Sequence, residues 1–350
     1  MGLVCTDTMT PTADLLSFCK RLPKIELHAH INGSISTDSM RQLAALKKEV
    51  NPDLASFKIP ERFDKIDDFF PLFKYIYRLT DNPEAVRVAV RNIIDEFAAD
   101  GVRYLELRTT PRQELSTGMT KRDYLSAVLS VIHGEPRSDI EVRLIVSIDR
   151  RNTLEEAYEA VALAEEFRSQ GVVGIDLCGD VMKGSFEELK GAFLKAKSLG
   201  FKTTLHFNEV AENIPEAPNL LSIDPDRLGH ATLLDDESRA VIYKKAIPVE
   251  ICMTSNVLCK TVKSFEDHHV KDLLQEGHPF VLCTDDKGVF FSELSNEYAI
   301  CATTFRMTKQ QLFDASLQAI DAIFENKRMQ EKLKAHWNAW HEENREEILA

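Results

Sequence analysis

The run Ile25-Glu26-Leu27-His28-Ala29-His30-Ile31, closed by Asn32-Gly33-Ser34, reads as a strand that ends in two histidines. Side chains two apart on a strand point to one face, so His28 and His30 leave its C-terminal end together. Seven more short β-branched runs follow: Val102–Thr110, Val142–Asp149, Val172–Gly179, Thr203–Phe207, Arg227–Leu233, Pro248–Ser255 and Phe280–Asp285. Between most of them lie longer stretches with apolar residues three and four apart, Thr153–Ser169 and Ser185–Leu199 among them. Gly101, Gly171 and Gly200 each follow such a stretch and precede a strand, as helix-ending glycines do. Eight strands alternating with helices predict an α/β fold, a closed parallel (β/α)8 barrel of the TIM type. An open doubly wound sheet would want a glycine-rich fingerprint after its first strand, and neither GxGxxG nor a P-loop pattern is present.

The connection from Ser36 to Asp100 is far longer than one crossover helix needs, and it carries helical patterns at Ile66–Leu79 and Pro83–Ala99. A helical insertion after strand 1 reads as a lid or a substrate wall. Thr308–Ala350 reads as charged amphipathic C-terminal helices on the outside, and residues 1–13 as a loose arm, leaving 14–350 as one barrel domain. The 350 residues are 44% hydrophobic and 28% charged, enough apolar side chain for a large core. The net charge of -13 weighs against a polynucleotide or an anionic membrane as partner, so an anionic substrate must be met by a local basic group. Seven scattered cysteines without a CxxC predict a reducing, cytoplasmic setting and no disulfide framework. No apolar run spans a bilayer and no signal pattern opens the chain. Met1-Gly2-Leu3-Val4-Cys5-Thr6 fits a myristoylation pattern, but no polybasic segment follows it, and the chain is read as untethered.

Three further strand ends carry chemistry. His206 and Glu209, in Leu205-His206-Phe207-Asn208-Glu209, end the fifth strand, and His230, in Leu228-Gly229-His230-Ala231-Thr232, lies on the sixth. Asp285 and Asp286, in Cys283-Thr284-Asp285-Asp286-Lys287-Gly288, end the eighth. Singly, each has an ordinary explanation: a lone histidine is most often a satisfied core residue, and paired aspartates can cap a helix. Together, four histidines, a glutamate and two aspartates fall on the C-terminal ends of strands one, five, six and eight, the rim where such barrels hold active sites. Scattered structural residues have no reason to choose one rim, so a metal site is the reading. Three neutral imidazoles and a carboxylate suit zinc, with a position left open for water. Zinc lowers the pKa of such a water towards neutrality, and a glutamate that is not a ligand can move a proton beside it. The HxE and PCxxC signature of cysteine-ligated deaminases is absent. His268-His269, Trp337 and Trp340 read as surface loop and helix packing.

His28-Ala29-His30, His206 to Glu209, Gly229-His230 and Thr284-Asp285-Asp286, in this order, resemble the adenosine/AMP deaminase group of the amidohydrolase superfamily. Gly174-Ile175-Asp176-Leu177-Cys178-Gly179-Asp180 resembles that family's fourth-strand segment. Leu22–Ser34, Leu107-Arg108-Thr109-Thr110-Pro111-Arg112 and Thr284–Phe290 resemble its adenosine deaminase-like branch, which removes methylamine from N6-methyl-AMP to yield IMP. The resemblance implies that His28, His30, His206 and Asp285 bind one zinc ion per chain. It implies that His230 orients or deprotonates the water that attacks C6, and that Glu209, protonated when substrate arrives, protonates N1. Burial is the physical means of raising Glu209. It also implies that Asp286 hydrogen-bonds N7 and the Gly179 N–H meets N3. Thr109, Thr110, Pro111 and Asp149 would line the pocket with His30, and Tyr77, a histidine in some members, would come from the insertion.

Substrate choice is argued from two departures. Where adenosine-specific relatives carry an aspartate facing the ribose 5′ hydroxyl, this chain has Asn32, which can donate to a 5′ phosphate instead of repelling it. Where they carry a histidine, it has Arg112, whose planar guanidinium is a better phosphate ligand. The alternative for Arg112 is a pair with a nearby acid such as Glu114. The expected activity is zinc-dependent hydrolysis of N6-methyl-AMP and related nucleotides, by a monomer whose partner is a small purine nucleotide and not a polynucleotide or a membrane. The rivals are adenosine deamination, another amidohydrolase reaction, and a non-catalytic purine-binding barrel. Leu177-Cys178-Gly179 holds no second-metal lysine, against binuclear versions, and the complete ligand and acid set argues against loss of catalysis.

Overall fold

The computed structural model describes residues 10–49, 51–59, 69–134 and 137–349. Eight parallel strands stand in one sheet in chain order: β1 (Lys24–His30), β2 (Val102–Thr109), β3 (Glu141–Asp149), β4 (Val172–Cys178), β5 (Lys202–Phe207), β6 (Arg227–His230), β7 (Val249–Ile251) and β8 (Phe280–Leu282). Just past β8 the chain closes onto β1. The Asp285 N–H donates to the His28 carbonyl at 2.8 Å, and the His30 N–H donates to the Asp285 carbonyl at 2.9 Å. The (β/α)8 barrel expected from the strand spacing is the fold, and its seam passes through three residues singled out for chemistry.

The helices start where local chemistry says they should. Thr153 and Glu156 form a capping box ahead of the helix Leu154–Glu166, and the Ser185 hydroxyl caps Phe186–Ser198. In the insertion, the helices Thr37–Leu46, Phe69–Leu79 and Pro83–Ala99 are present, whereas the first residues of the expected Ile66–Leu79 pattern lie outside the described residues. The loose arm and its myristoylation pattern likewise fall mostly on residues 1–9, outside the described residues; a helix capped by Thr12 begins at Ala13. The C-terminal helices pack beneath the barrel. Trp337 is fully buried there, and its indole N–H donates to the Ser316 hydroxyl at 2.9 Å.

Three strands are markedly shorter than their apolar runs, β8 ending at Leu282 of the expected Phe280–Asp285. Arg227–Leu233 is extended only to His230, because His230 and Ala231 take φ values of 60° and 47° and turn the chain. Pro248–Ser255 is extended only from Val249 to Ile251, after which Met253–Leu258 is helical. That helix has no cap of its own; the distant Glu297 carboxylate accepts the Thr254 N–H at 3.0 Å, a partner that local reading cannot supply.

The barrel interior is charged as well as apolar. Arg227 donates to Glu250 at 2.6 Å and to Glu106 at 2.7 Å, while Arg108 donates to Glu250 at 2.8 Å and to Asp176 at 3.1 Å. All five side chains are fully buried. A buried charge stripped of its partner is strongly destabilising. Arg227→Met, which leaves Glu106 and part of Glu250 uncompensated, is expected to cost about 3–5 kcal/mol in urea denaturation. An unchanged midpoint would mean that the network holds nothing together.

Candidate active site

Each histidine at the rim is aimed by a specific partner. On β1, the His28 Nδ1 lies 2.7 Å from Glu250 of β7, and Glu250 also accepts Arg108, Arg227 and the Thr204 hydroxyl. On β5, the His206 Nδ1 lies 3.1 Å from Asp176 of β4, which accepts Arg108 and the Ser147 hydroxyl. A carboxylate can only accept, so both Nδ1 atoms carry protons and both Nε2 atoms turn towards the rim. The His28 Nε2 is buried there with no hydrogen-bond partner.

The free atoms converge. The His30 Nε2 stands 3.3 Å from the His206 Nε2 and 3.3 Å from Asp285 Oδ1, and the His28 Nε2 is 3.5 Å from the same oxygen. Asp285 is steadied through its other oxygen by the Ser255 hydroxyl at 2.7 Å. Donor atoms of His28, His206, His230 and Asp285 also lie within 4.8 Å of one another, so five residues compete for four places around one cation. Nitrogen and carboxylate donors crowded this closely, one an orphaned buried nitrogen, fit a divalent metal of the zinc type. Electrostatics agrees. Burial and Arg108 push His28 down, yet Asp285 and Glu250 outweigh them and raise it to about 9. These carboxylates hold a positive charge at the point a cation would occupy. Burial pushes Asp285 up, but the surrounding histidines, His28 first, hold it well below the usual carboxylate range.

Two acids behave oppositely. Burial raises Glu209, whose Oε2 is 3.7 Å from the His230 Nε2. Burial, reinforced by Asp285, raises Asp286 well above the usual range, and its Oδ1 has no partner. A carboxyl that favours its proton can donate a hydrogen bond at neutral pH. Asn208, His230, Ala231 and Asp285 all have positive φ, so the loops that present these groups hold strained backbone.

The remaining expected residues surround this centre. The Thr109 hydroxyl lies 2.7 Å from the Tyr124 hydroxyl, and Tyr124 also interacts with Asn32 and Arg112. The Arg112 guanidinium stands over the rings of Tyr77 and Tyr124, at 5.3 and 5.4 Å, and donates to the Thr80 hydroxyl at 2.8 Å. Glu114 accepts from the Ser116 hydroxyl at 2.7 Å and feels the Arg112 charge only at longer range; among the described residues no ion pair joins a carboxylate to Arg112. The Thr110 hydroxyl faces the Cys178 thiol at 3.5 Å, and Pro111 is buried beside it in sequence. Asp149 is paired with Arg151 at 2.6 Å. Gly179 has φ +106°, and a Cβ there would stand 2.6 Å from the Asp149 carboxylate.

Sequence reading missed Arg108, Tyr124, Asp176, Glu250, Asn256 and His268. The available signal was a charged residue inside an apolar strand run: Arg108, Asp176 and Glu250 each sit in one. His268 is not on the surface as expected from its loop; it is 1% exposed and lies 3.1 Å from Asn256.

The family model described as adenosine deaminase matches residues 23–340. The chain belongs to the adenosine deaminase family. A zebrafish (Danio rerio) N6-methyl-AMP deaminase is 43% identical over 341 residues, which cover 94% of this chain and 97% of that protein. An Arabidopsis thaliana N6-mAMP deaminase is 38% identical over 91% of this chain and 97% of its own length. The crystal structure of Arabidopsis ADAL complexed with IMP superposes with a TM-score of 0.87 at 39% identity, covering 93% of this chain and 99% of that one. Within this adenosine deaminase family barrel, no helix among the described residues is long and apolar enough to cross a membrane.

A Cβ on Gly33 would fall 1.6 Å from Asp286 Oδ1, so Gly33 makes the space that Asp286 occupies. Gly33→Ala is expected to keep its metal content and lose turnover by about 10²-fold, as a displacement of one ångström at a reacting centre does. Full activity with bound metal would show that the position of Asp286 is unimportant.

Proposed function

We propose that this protein catalyses the zinc-dependent hydrolysis of N6-methyl-AMP to IMP and methylamine. The observation that carries the reading is the pairing of two features at one rim. A cluster of imidazoles and Asp285 lies beside the raised acid Glu209, and Arg112, paired with no carboxylate among the described residues, stands with Asn32 around Tyr124. Relatives named for the same reaction support it, as does the IMP held by the Arabidopsis structure.

His28, His30, His206 and Asp285 would hold one zinc ion, which supplies the Lewis acidity that makes water nucleophilic at neutral pH. The chain's own groups do the rest. Glu209, whose hold on its proton burial strengthens, delivers a proton to N1 as the water oxygen adds to C6. Asp286 offers its O–H to N7, and the Gly179 N–H faces N3. The water oxygen becomes O6 of IMP, one of its protons replaces the one delivered to N1, and the other leaves with methylamine. Thr109, Thr110, Pro111, Asp149 and Tyr77 border the pocket, while Asn32 and Arg112 receive the 5′ phosphate. The enzyme acts as a monomeric single-domain protein on free nucleotide. We place the enzyme in a reducing, cytoplasmic setting; among the described residues six cysteines are free thiols.

Four substrates separate this reading from its rivals: adenosine, AMP, N6-methyladenosine and N6-methyl-AMP. Fast turnover of N6-methyl-AMP alone is expected from the zinc-loaded protein, and a preference for adenosine would overturn the phosphate argument. Glu209→Gln should retain zinc by elemental analysis yet lose turnover by about 10²–10⁴-fold, the usual weight of a positioned acid. Asn32→Asp sets a carboxylate against the phosphate, and like charges there should move the nucleotide-to-nucleoside preference by about 10²-fold.

A further inference from the structure

His230 could act at its Nε2 either as a base or as a donor, and the choice depends on which ring nitrogen carries the proton. A chain of buried hydrogen bonds behind it decides this. It starts from a group with no freedom: the Val270 backbone N–H can only donate, and it points at the His268 Nδ1 at 3.2 Å. That nitrogen therefore presents a lone pair. Burial and His269 keep His268 neutral, so its one ring proton is on Nε2, 3.1 Å from Asn256 Oδ1. The amide is thereby oriented. Its Nδ2 faces the His230 Nδ1 at 3.1 Å, and a second hydrogen on that nitrogen meets the Thr261 hydroxyl at 3.2 Å. The reversed amide would press an N–H of Asn256 against the N–H of His268.

The His230 Nδ1 is thus an acceptor, and a ring whose Nδ1 accepts an N–H carries its one proton on Nε2. That N–H faces the site, 3.7 Å from Glu209 Oε2 and 3.9 Å from Asp285 Oδ2. Asn256, His268 and His230 are each 1% exposed, so water does not compete for these contacts. The arrangement is opposite to that of His28 and His206, whose Nδ1 atoms donate to carboxylates and leave Nε2 as the nitrogen open to a metal.

We propose that Asn256 and His268 are positioning residues that hold His230 as an Nε2–H donor. In the deamination, on whose assignment to this site the proposal rests, His230 then donates a hydrogen bond to the attacking water oxygen and does not take its proton. An Nε2 that carries hydrogen has no lone pair for a metal. Among the five crowded residues this removes His230 and leaves His30 as the third nitrogen ligand.

The test reads the tautomer directly, by nitrogen-15 NMR of the histidine rings in the full-length protein, alongside kcat and KM for N6-methyl-AMP. The wild type is expected to show His230 and His268 protonated at Nε2. Asn256→Asp puts an acceptor behind His230 and should move its proton to Nδ1. Because a wrong tautomer of a catalytic histidine costs roughly 10⁴-fold, kcat should fall by about 10³–10⁴-fold with KM little changed. His268→Ala frees the amide to turn and should lower kcat, and His268→Gln, which again presents an N–H to Asn256, should recover most of it. A wild-type His230 protonated at Nδ1 would overturn the proposal, and so would Asn256→Asp with the tautomer moved and kcat intact. If Asn256→Asp does not fold, the wild-type spectrum and the His268 pair still decide. The tautomer is read without substrate, so a wild type that turns over no purine would sink the deaminase reading separately.

Discussion

Arg108 lies between two carboxylates, and the site depends on that contact. Its guanidinium reaches Glu250 and Asp176 at once, and each of these acids aligns one imidazole, His28 or His206. Burial alone would push Glu250 up; Arg108 and Arg227 hold it well below the usual carboxylate range, so it is charged and able to accept. A charged acceptor behind an imidazole sets the ring's orientation and tautomer and makes the opposite nitrogen a stronger donor to a metal. The residues involved come from β1, β2, β4, β5, β6 and β7. The contact exists only when the barrel is closed, and folding and site assembly are therefore one event.

The rim holds four histidines with ring centroids of His28 within 4.6–5.3 Å of the other three. Crowded rings of one residue type can still do different work, because the group behind each ring differs. Carboxylates stand behind His28 and His206, and an amide nitrogen stands behind His230. The same economy applies to the acids. Asp285, surrounded by imidazoles, is held well below the usual carboxylate range, while its neighbour Asp286, buried and next to that charge, is pushed well above it. One peptide bond separates two carboxyls that the surroundings drive in opposite directions.

The wall proposed to face the substrate follows another logic. It is built on the insertion and on the loop after β2, where Tyr77 and Tyr124 flank Arg112 and the Thr80 hydroxyl anchors it. Aromatic faces stabilise a guanidinium without neutralising it, so the charge remains available to an anion. The net charge of -13 makes this local arrangement necessary. A global field of that sign would repel a nucleotide, and only a nearby cation reverses it.

Strand periodicity and the spacing of apolar residues are local properties, and they suffice to specify eight strands, their barrel and the rim on which the candidate residues gather. His28 and His30 were legible because two-residue spacing on a strand is a geometric statement, and Glu209, His230, Asp285 and Asp286 because each ends an apolar run. Arg108, Asp176 and Glu250 were present as letters, but a charged residue within a strand has no meaning until its partner across the barrel is known. Asn256 and His268 were further from reach. One falls just past the expected strand Pro248–Ser255, yet it lies on a helix capped by a distant glutamate; the other looked like a surface loop, yet it is buried against that helix. Which nitrogen carries a proton was settled by tertiary structure alone, since it follows from what stands behind each ring, and barrel closure brings those partners from strands and loops far apart in the chain.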